Sequence, residues 1–339
     1  MIQKLFEVYS EYIWPIQRHF TNKLTLRCKN CALSSHHTPL DQAGLCTFCV
    51  EYAQQPMHQD AAQLEDQSLG LKEFLAPYCD ESPERSYDAL VLLSGGKDSA
   101  YILHRLQQEF ADLRILTVMV DNGFTSPVAL SNAEFVANKL GVDFLLLRSH
   151  VQQFRQNLRQ AFADLNGKSA YGAIDYVDGT MIFDAAKKLA NDFHIPLMIS
   201  GLSWAQLEQI AGIENSFTQT HDHIKLVEVF PLCAWKTEEH AVRKYVQDKA
   251  LIPKGKDSPV VTNSDLILPM CVVDILNLGY CSFEPEFSQM IREGKALKEQ
   301  WRNTFELLEY GVKTGRLVSE ANKTLRKIDL SIDEVIGGT

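Results

Sequence analysis

Residues 88–110 constrain this chain more than any other stretch. Asp88-Ala89-Leu90-Val91-Leu92-Leu93 is a short apolar run, Ser94-Gly95-Gly96-Lys97-Asp98-Ser99 follows at once, and from Ala100 to Phe110 the residues Ile102, Leu103, Leu106 and Phe110 recur at helical spacing. An apolar run that ends in glycines reads as a buried strand. The predicted order is therefore strand, glycine turn, helix. Each residue of the turn has a physical use at an anion. Gly95 and Gly96 lack a Cβ, so their backbone N–H groups can approach phosphate oxygens. The helix starting near Ser99 points the positive end of its dipole at the same place. Lys97 adds a full charge, and Ser94 and Ser99 add hydroxyl donors. Asp98 suits an anion site by holding a metal ion or orienting a donor. A tight strand–helix turn with incidental glycines is the plainer alternative. The spacing fits neither the Walker loop, which has four residues between its glycine and its Gly-Lys pair, nor the dinucleotide fingerprint.

The alternation continues. Arg114 to Val120, Val142 to Leu147 and Ile195 to Ser200 read as strands, and Asn132 to Leu140, Val151 to Leu165 and Gly179 to Phe193 as helices. Strands alternating with helices imply an α/β fold whose doubly wound parallel sheet is covered on both faces. In that setting the Ser-Gly-Gly-Lys-Asp-Ser loop resembles the signature of the N-type ATP pyrophosphatases, or PP-loop enzymes, over roughly residues 87–235. The resemblance implies an adenine nucleotide alpha hydrolase-like fold, a flavodoxin-like strand order, and ATP with Mg²⁺ cleaved to AMP and pyrophosphate. It also implies roles. The loop cradles pyrophosphate, with Lys97 stabilising its charge and Asp98 orienting a donor or binding metal. The strand end Met119-Val120-Asp121-Asn122-Gly123-Phe124 contacts adenine and ribose, which brings in Asp121. Gly201, in Ser200-Gly201-Leu202-Ser203 with Glu208 seven residues on, faces the nucleotide. A strand end followed by a helix-capping Ser203 accounts for those last residues equally well.

Cys28-x2-Cys31 and Cys46-x2-Cys49 stand fourteen residues apart. Two such knuckles can place four thiolates around one tetrahedral ion, and four thiolates leave no open position, so the expectation is a structural Zn²⁺. A redox or iron–sulfur role is the alternative. His36 and His37, between the knuckles, read as solvated loop residues. The chain thus divides into an N-terminal helix (1–27), a zinc ribbon (28–55), a linker with one helix (56–86), the ATP-binding domain (87–235) and a helical C-terminal region (236–339) with helices near 237–249, 285–312 and 317–326.

Adenylating an oxygen makes it a leaving group, and the incoming atom is the open question. The ribbon Arg27-Cys28-x2-Cys31 with Gly44-Leu45-Cys46-Thr47-Phe48-Cys49, directly ahead of a PP-loop domain, resembles the N-acetyl sugar amidotransferases of surface-polysaccharide pathways. That resemblance implies nitrogen, delivered as ammonia by a separate glutaminase subunit, and a sugar-like small-molecule substrate. It fades after about residue 250. The competing reading is sulfur transfer to a free nucleobase or tRNA. Cys233 or Cys271, or Cys281, would then carry sulfur supplied by a cysteine desulfurase, although cysteines in apolar runs are usually buried small hydrophobes. A nucleotide-binding module without turnover is a third reading.

The formal net charge of −10 repels a phosphate backbone, so nucleic acid is not the default partner, though a local basic patch would override this. No segment has the length of a membrane span and the first residues lack a signal-peptide core, so the expected location is the cytoplasm, with reduced thiols and no membrane. Trp14, Trp204, Trp235 and Trp301 read mainly as core residues. Lys236 could reach a phosphate or lie in solvent. Asp175, Asp178 and Asp184 are candidate Mg²⁺ ligands, with Asp178 alternatively capping a helix.

Overall fold

The computed structural model describes residues 6, 8–21, 24–54, 67–79, 85–148, 151–203, 206–207, 216–235, 237–256 and 263–337. Trp204, Glu208 and Lys236 lie outside these described residues. The chain forms two compact units. The sheet unit comprises Asp60–Val151 and Gly179–Ser258; the ribbon unit comprises Met1–Gln59, Gln152–Asp178 and Pro259–Thr339.

In the sheet unit, β1 (Ala89–Leu92), β2 (Ile115–Val120), β3 (Asp143–Leu147), β4 (Leu197–Ile199), β5 (Thr218–His221) and β6 (Leu226–Val229) form one sheet in the order β3-β2-β1-β4-β6-β5. All pairs are parallel except β5 with β6. This is the expected doubly wound α/β class, but the strand order corrects the flavodoxin-like expectation. That order would insert β3 beside β1, whereas here β3 pairs with the outer edge of β2, from Leu116↔Asp143 to Val120↔Leu147. The other edge of β1 is taken by β4, with Val91 opposite Ile199. Winding reverses between β1 and β4, so a ligand crevice is expected outside their carboxyl ends.

The strands are short and fully buried at the centre: Ala89, Leu90, Val91, Leu197, Met198 and Ile199 are all enclosed. Helices Lys97–Glu109 and Pro127–Leu140 follow β1 and β2. The first begins at Lys97, so Lys97, Asp98 and Ser99 form its opening turn. The second begins five residues ahead of the expected Asn132, because Pro127 takes its first position and the Ser126 hydroxyl accepts from Ala129 N at 3.1 Å. The strands β5 and β6 carry no clear apolar pattern, since Glu228 sits inside β6. Its buried carboxylate is held by Lys187 at 2.6 Å and His221 at 3.1 Å.

The ribbon unit joins the cysteine segment to the C-terminal helices. Arg27 is buried there, with Nη1 2.8 Å from Glu284 and Nη2 3.2 Å from Glu309. Trp14 is enclosed and donates its indole N–H to Glu306 at 3.1 Å. The expected helix 285–312 is two helices, Glu284–Arg292 and Lys298–Lys313, separated at Gly294, whose φ is +72°. Asp178 lies inside helix Ala170–Asp192 and not at a helix start; the backbone N–H groups of Ala170 and Tyr171 go to Asp274, at 2.5 and 3.3 Å. Among the described residues, no helix is long and apolar enough to cross a membrane.

Candidate functional site

The glycine loop lies at the carboxyl end of β1, and its shape comes from three contacts. Gly95 has φ +75°, a left-handed conformation that disfavours any side chain. A Cβ there would also stand 2.0 Å from the carbonyl oxygen of Ala129. Glycine is thus required at position 95 by the close approach of helix Pro127–Leu140. Gly96 is extended, at φ −92° and ψ 171°, which any residue can adopt. The two serines brace the loop from within. Ser94 N donates to Ser99 Oγ at 3.2 Å, the two hydroxyls lie 3.2 Å apart, and Gly96 N donates to Ser94 Oγ at 3.3 Å. Ser99 Oγ also donates to Gly96 O at 3.2 Å. Ser99 is buried and Ser94 is exposed.

The charged groups occupy the helix start. Lys97 Nζ lies 2.9 Å from Asp98 and 3.7 Å from Glu239. Asp98 is well exposed, which leaves its carboxylate accessible to a hydrated Mg²⁺. The N–H groups of the first helical turn have no partners within the helix and point toward the same end. Gly201, just past β4, approaches the loop from the other side. A Cβ on it would meet Asp98 Cβ at 3.7 Å and Ser99 N at 3.8 Å. The fold thus gathers Ser94, Gly95, Gly96, Lys97, Asp98, Ser99 and Gly201 across the β1–β4 switch point. The plainer function of Ser203 is also visible. Gln206 Oε1 accepts from both its backbone N–H, at 2.9 Å, and its hydroxyl, at 3.1 Å.

Asp121 ends β2 and uses both carboxylate oxygens. One accepts from Gly123 N at 2.9 Å and the other from Arg148 Nε at 2.7 Å. Arg148, at the end of β3, was not anticipated from the sequence; a lone arginine after an apolar strand carries no motif. Asn132 and Lys256 were missed as well, and both touch the loop's surroundings.

The cysteines fall into three settings. Cys28, Cys31, Cys46 and Cys49 are buried with their sulfurs all within 4.8 Å of one another. The Cys28–Cys49 and Cys31–Cys46 sulfurs are 3.7 and 3.5 Å apart. A tetrahedral ion with metal–sulfur bonds of about 2.3 Å separates its ligands by roughly 3.8 Å, so the four thiols fit a single ion. A four-iron cluster, with each thiolate on a different iron, would hold them farther apart. Hydrogen bonding from Cys31 and from the backbone of Asn30 and Cys46 holds the Cys28 thiol well below its ordinary range. His37 is not a solvated loop residue: its ring packs between Phe48 and Tyr280, at 5.9 and 5.1 Å between centroids.

Cys233 is buried below the loop after β4, against Leu207 and Phe230, and its Sγ lies 3.6 Å from Leu202 O. Burial pushes its thiol up to about 12. Cys271 and Cys281 are buried in the ribbon unit, and desolvation raises the Cys281 thiol further. Of the acidic residues considered for metal, Asp175 is raised by burial. Among the described residues, only the four cysteines form a group placed to share one ion. Trp14 and Trp301 are core residues. Trp235 is enclosed beneath the Arg105 guanidinium, 4.2 Å from its ring centroid.

What fold and loop define together is a doubly wound α/β protein with a glycine turn at its switch point. No family model and no curated protein sequence matches the chain. Among solved structures, the U34-tRNA thiolase NcsA from Methanococcus maripaludis with its [4Fe-4S] cluster is similar at 13% identity and a TM-score of 0.41, over 91% of each chain. NMN synthetase from Francisella tularensis is similar at 12% identity and 0.37, over 76% of this chain and 97% of that one. The phosphoadenylyl-sulfate reductase from Candida auris, in its phosphate complex, gives 14% and 0.35, over 67% and 95%. Likeness at this level leaves the reaction to be argued from the chain's own residues.

Proposed function

We propose that this chain is an ATP-dependent enzyme that forms AMP and pyrophosphate, adenylates an oxygen of a small, sugar-like molecule and replaces that oxygen with nitrogen. One observation carries the ATP half of this reading: the glycine loop, with Lys97 and the first turn of helix Lys97–Glu109, sits at the β1–β4 switch point where the fold places ligands. The loop backbone and Lys97 bind the pyrophosphate portion, and Asp98 takes Mg²⁺. Asp121 shapes the β2 end that faces the nucleoside. The four-cysteine group is read as a structural Zn²⁺ site.

Nitrogen is favoured over sulfur because of the thiols. A sulfur carrier works as thiolate. Cys233 is enclosed and its thiol is raised to about 12, which keeps it protonated near neutral pH. A separate glutaminase subunit is the proposed source of ammonia.

Pyrophosphate release from MgATP, screened with amino-acceptor sugars plus ammonium and with nucleobases plus sulfide, tests the reaction. Lys97→Ala is expected to abolish the release that wild type shows. Full activity in that variant removes the loop from the chemistry. Release with sulfide alone, lost in Cys233→Ser, replaces nitrogen by sulfur. Binding of MgATP with no release across the whole screen makes the chain a nucleotide-binding module.

A further inference from the structure

The phosphate-binding loop is tied to a second loop through one buried amide. Asn132 is 3% exposed, and its Nδ2 donates to the carbonyls of Gly95 at 3.2 Å and Lys256 at 3.0 Å. Its Oδ1 is buried without a hydrogen-bond partner among the described residues. An unpaired buried acceptor is costly, so an amide is retained here for its two donors. Those donors fix the Gly95 peptide, and with it the loop, against the chain at Lys256.

The stretch ending at Lys256 is itself a built element. Lys256 N donates to Pro253 O at 3.0 Å and Gly255 has φ +78°, which closes a glycine-dependent turn over Pro253-Lys254-Gly255-Lys256. Leu251 and Ile252 anchor it in the core. Helix Pro127–Leu140 straps it from both ends. Lys139 Nζ donates to the carbonyls of Lys249 and Ala250, both at 2.7 Å, and Ser131 Oγ accepts from Lys256 Nζ at 2.8 Å. Lys254 and Lys256 are exposed.

Charge gives the turn a purpose. At the loop, Lys97 stands between the carboxylates of Asp98 and Glu239, so these three side chains together are net negative. The Mg²⁺ proposed at Asp98 would bring them only to about one positive charge, still short of what a polyanionic triphosphate calls for. We propose that Lys256, with Lys254, is a second cationic contact for the phosphates of a nucleoside triphosphate, and that Asn132 is the positioning residue that registers this lysine turn against the glycine loop. The inference rests on the loop's assignment to nucleotide phosphates.

Titration calorimetry on the full chain with MgATP and, separately, with AMP tests it. Lys256→Gln is expected to weaken MgATP by about tenfold or more, as the loss of a charge-assisted contact does, while AMP changes by less than about twofold. Lys256→Arg restores most of the loss. Asn132→Ala gives the same selective loss of MgATP over AMP, a selectivity that general damage to the fold does not produce. Because Asn132 holds the backbone of Lys256, Lys256→Gln leaves that bond intact and decides the matter even where Asn132→Ala fails to fold. Unchanged MgATP affinity in Lys256→Gln, or an equal loss for MgATP and AMP, overturns the inference. Lys97→Ala run in parallel separates the two levels. If it also binds MgATP as wild type does, the loop assignment itself has failed; if it alone weakens binding, only the lysine turn has.

Discussion

The glycine loop and the cysteine ribbon are both short motifs, yet they are held in opposite ways. The loop is mainly backbone, and its position is set by backbone shape: a left-handed Gly95, the Ala129 carbonyl against it, and the Asn132 amide. Its charges remain accessible. The ribbon presents side chains, and four sulfurs converge from two separate knuckles. Its charges are buried, with Arg27 clamped between Glu284 and Glu309 and the Ser34 N–H also on Glu284, at 3.2 Å. A site made of backbone is broken by adding a methyl group. A site made of ligands is broken by removing one.

Removing a ligand should give the largest effect. Structural zinc contributes apparent binding energies of about 10–16 kcal/mol in zinc-finger peptides, and the proposed Zn²⁺ site predicts an effect of that order here. Cys46→Ala, or chelation of the wild type, is expected to lose about one metal ion per chain and the amide protection of residues 24–54. Retained protection without metal, measured by hydrogen exchange, makes the ribbon independent of its ion. The clamp comes next. Arg27→Ala removes the shared cation from two buried carboxylates, leaving Glu309 with Lys313 and Glu284 with backbone N–H groups, so the expected cost in denaturant unfolding is about 3 kcal/mol, the low end for breaking a buried ion pair. A loss below about 1 kcal/mol means that the buried clamp is worth no more than an exposed ion pair.

Adding a methyl group to the loop is the complementary break. Gly95→Ala forces a Cβ into a left-handed backbone, about 1–2 kcal/mol by itself, and against the Ala129 carbonyl as well. It should lose both stability and MgATP binding. Gly201→Ala meets its neighbours at ordinary contact distances, so its stability should stay within about 0.5 kcal/mol. Equal losses in the two variants refute the claim that only Gly95 is fixed by shape.

The same contrast explains what could be read from the sequence. Strand β1, the loop and both cysteine knuckles are contiguous patterns, and strands β1 to β4 appear within a residue or two of their expected bounds. What stayed hidden depends on partners far along the chain. Asp274 receives the first two N–H groups of helix Ala170–Asp192, a long-range partner that supplements the local cap in which Ser169 Oγ accepts from Gly172 N at 3.2 Å. Glu228 interrupts the apolar pattern of β6 because its charge is met by Lys187, 2.6 Å away. Asn132 reads as one more polar residue in a helix until Gly95 and Lys256 are seen on either side of it. The start of helix Pro127–Leu140 was legible in Ser126-Pro127 but is easily passed over beside a stronger apolar run.

The smallest expected effect concerns acid, and it tests whether the sheet unit also depends on a buried charge, away from its loop. Asp88 is fully buried just before β1. Its burial alone would raise its carboxyl, but hydrogen bonds from Arg114, at 2.7 and 2.9 Å, and from Arg85, at 2.7 Å, outweigh that and hold it below the ordinary aspartate range. A depressed carboxylate contributes stability above its unfolded pKa of about 3.9, and that contribution is lost as pH falls through the folded value. Asp88→Asn replaces charged hydrogen bonds by neutral ones, so it should cost about 1 kcal/mol near neutral pH. The gap between wild type and variant should then close as the pH is lowered below the aspartate range. Unfolding curves for the two proteins between neutral pH and the acid limb measure it. A gap that stays constant with pH means that Asp88 acts through shape alone, and the sheet unit would then resemble its own loop rather than the ribbon.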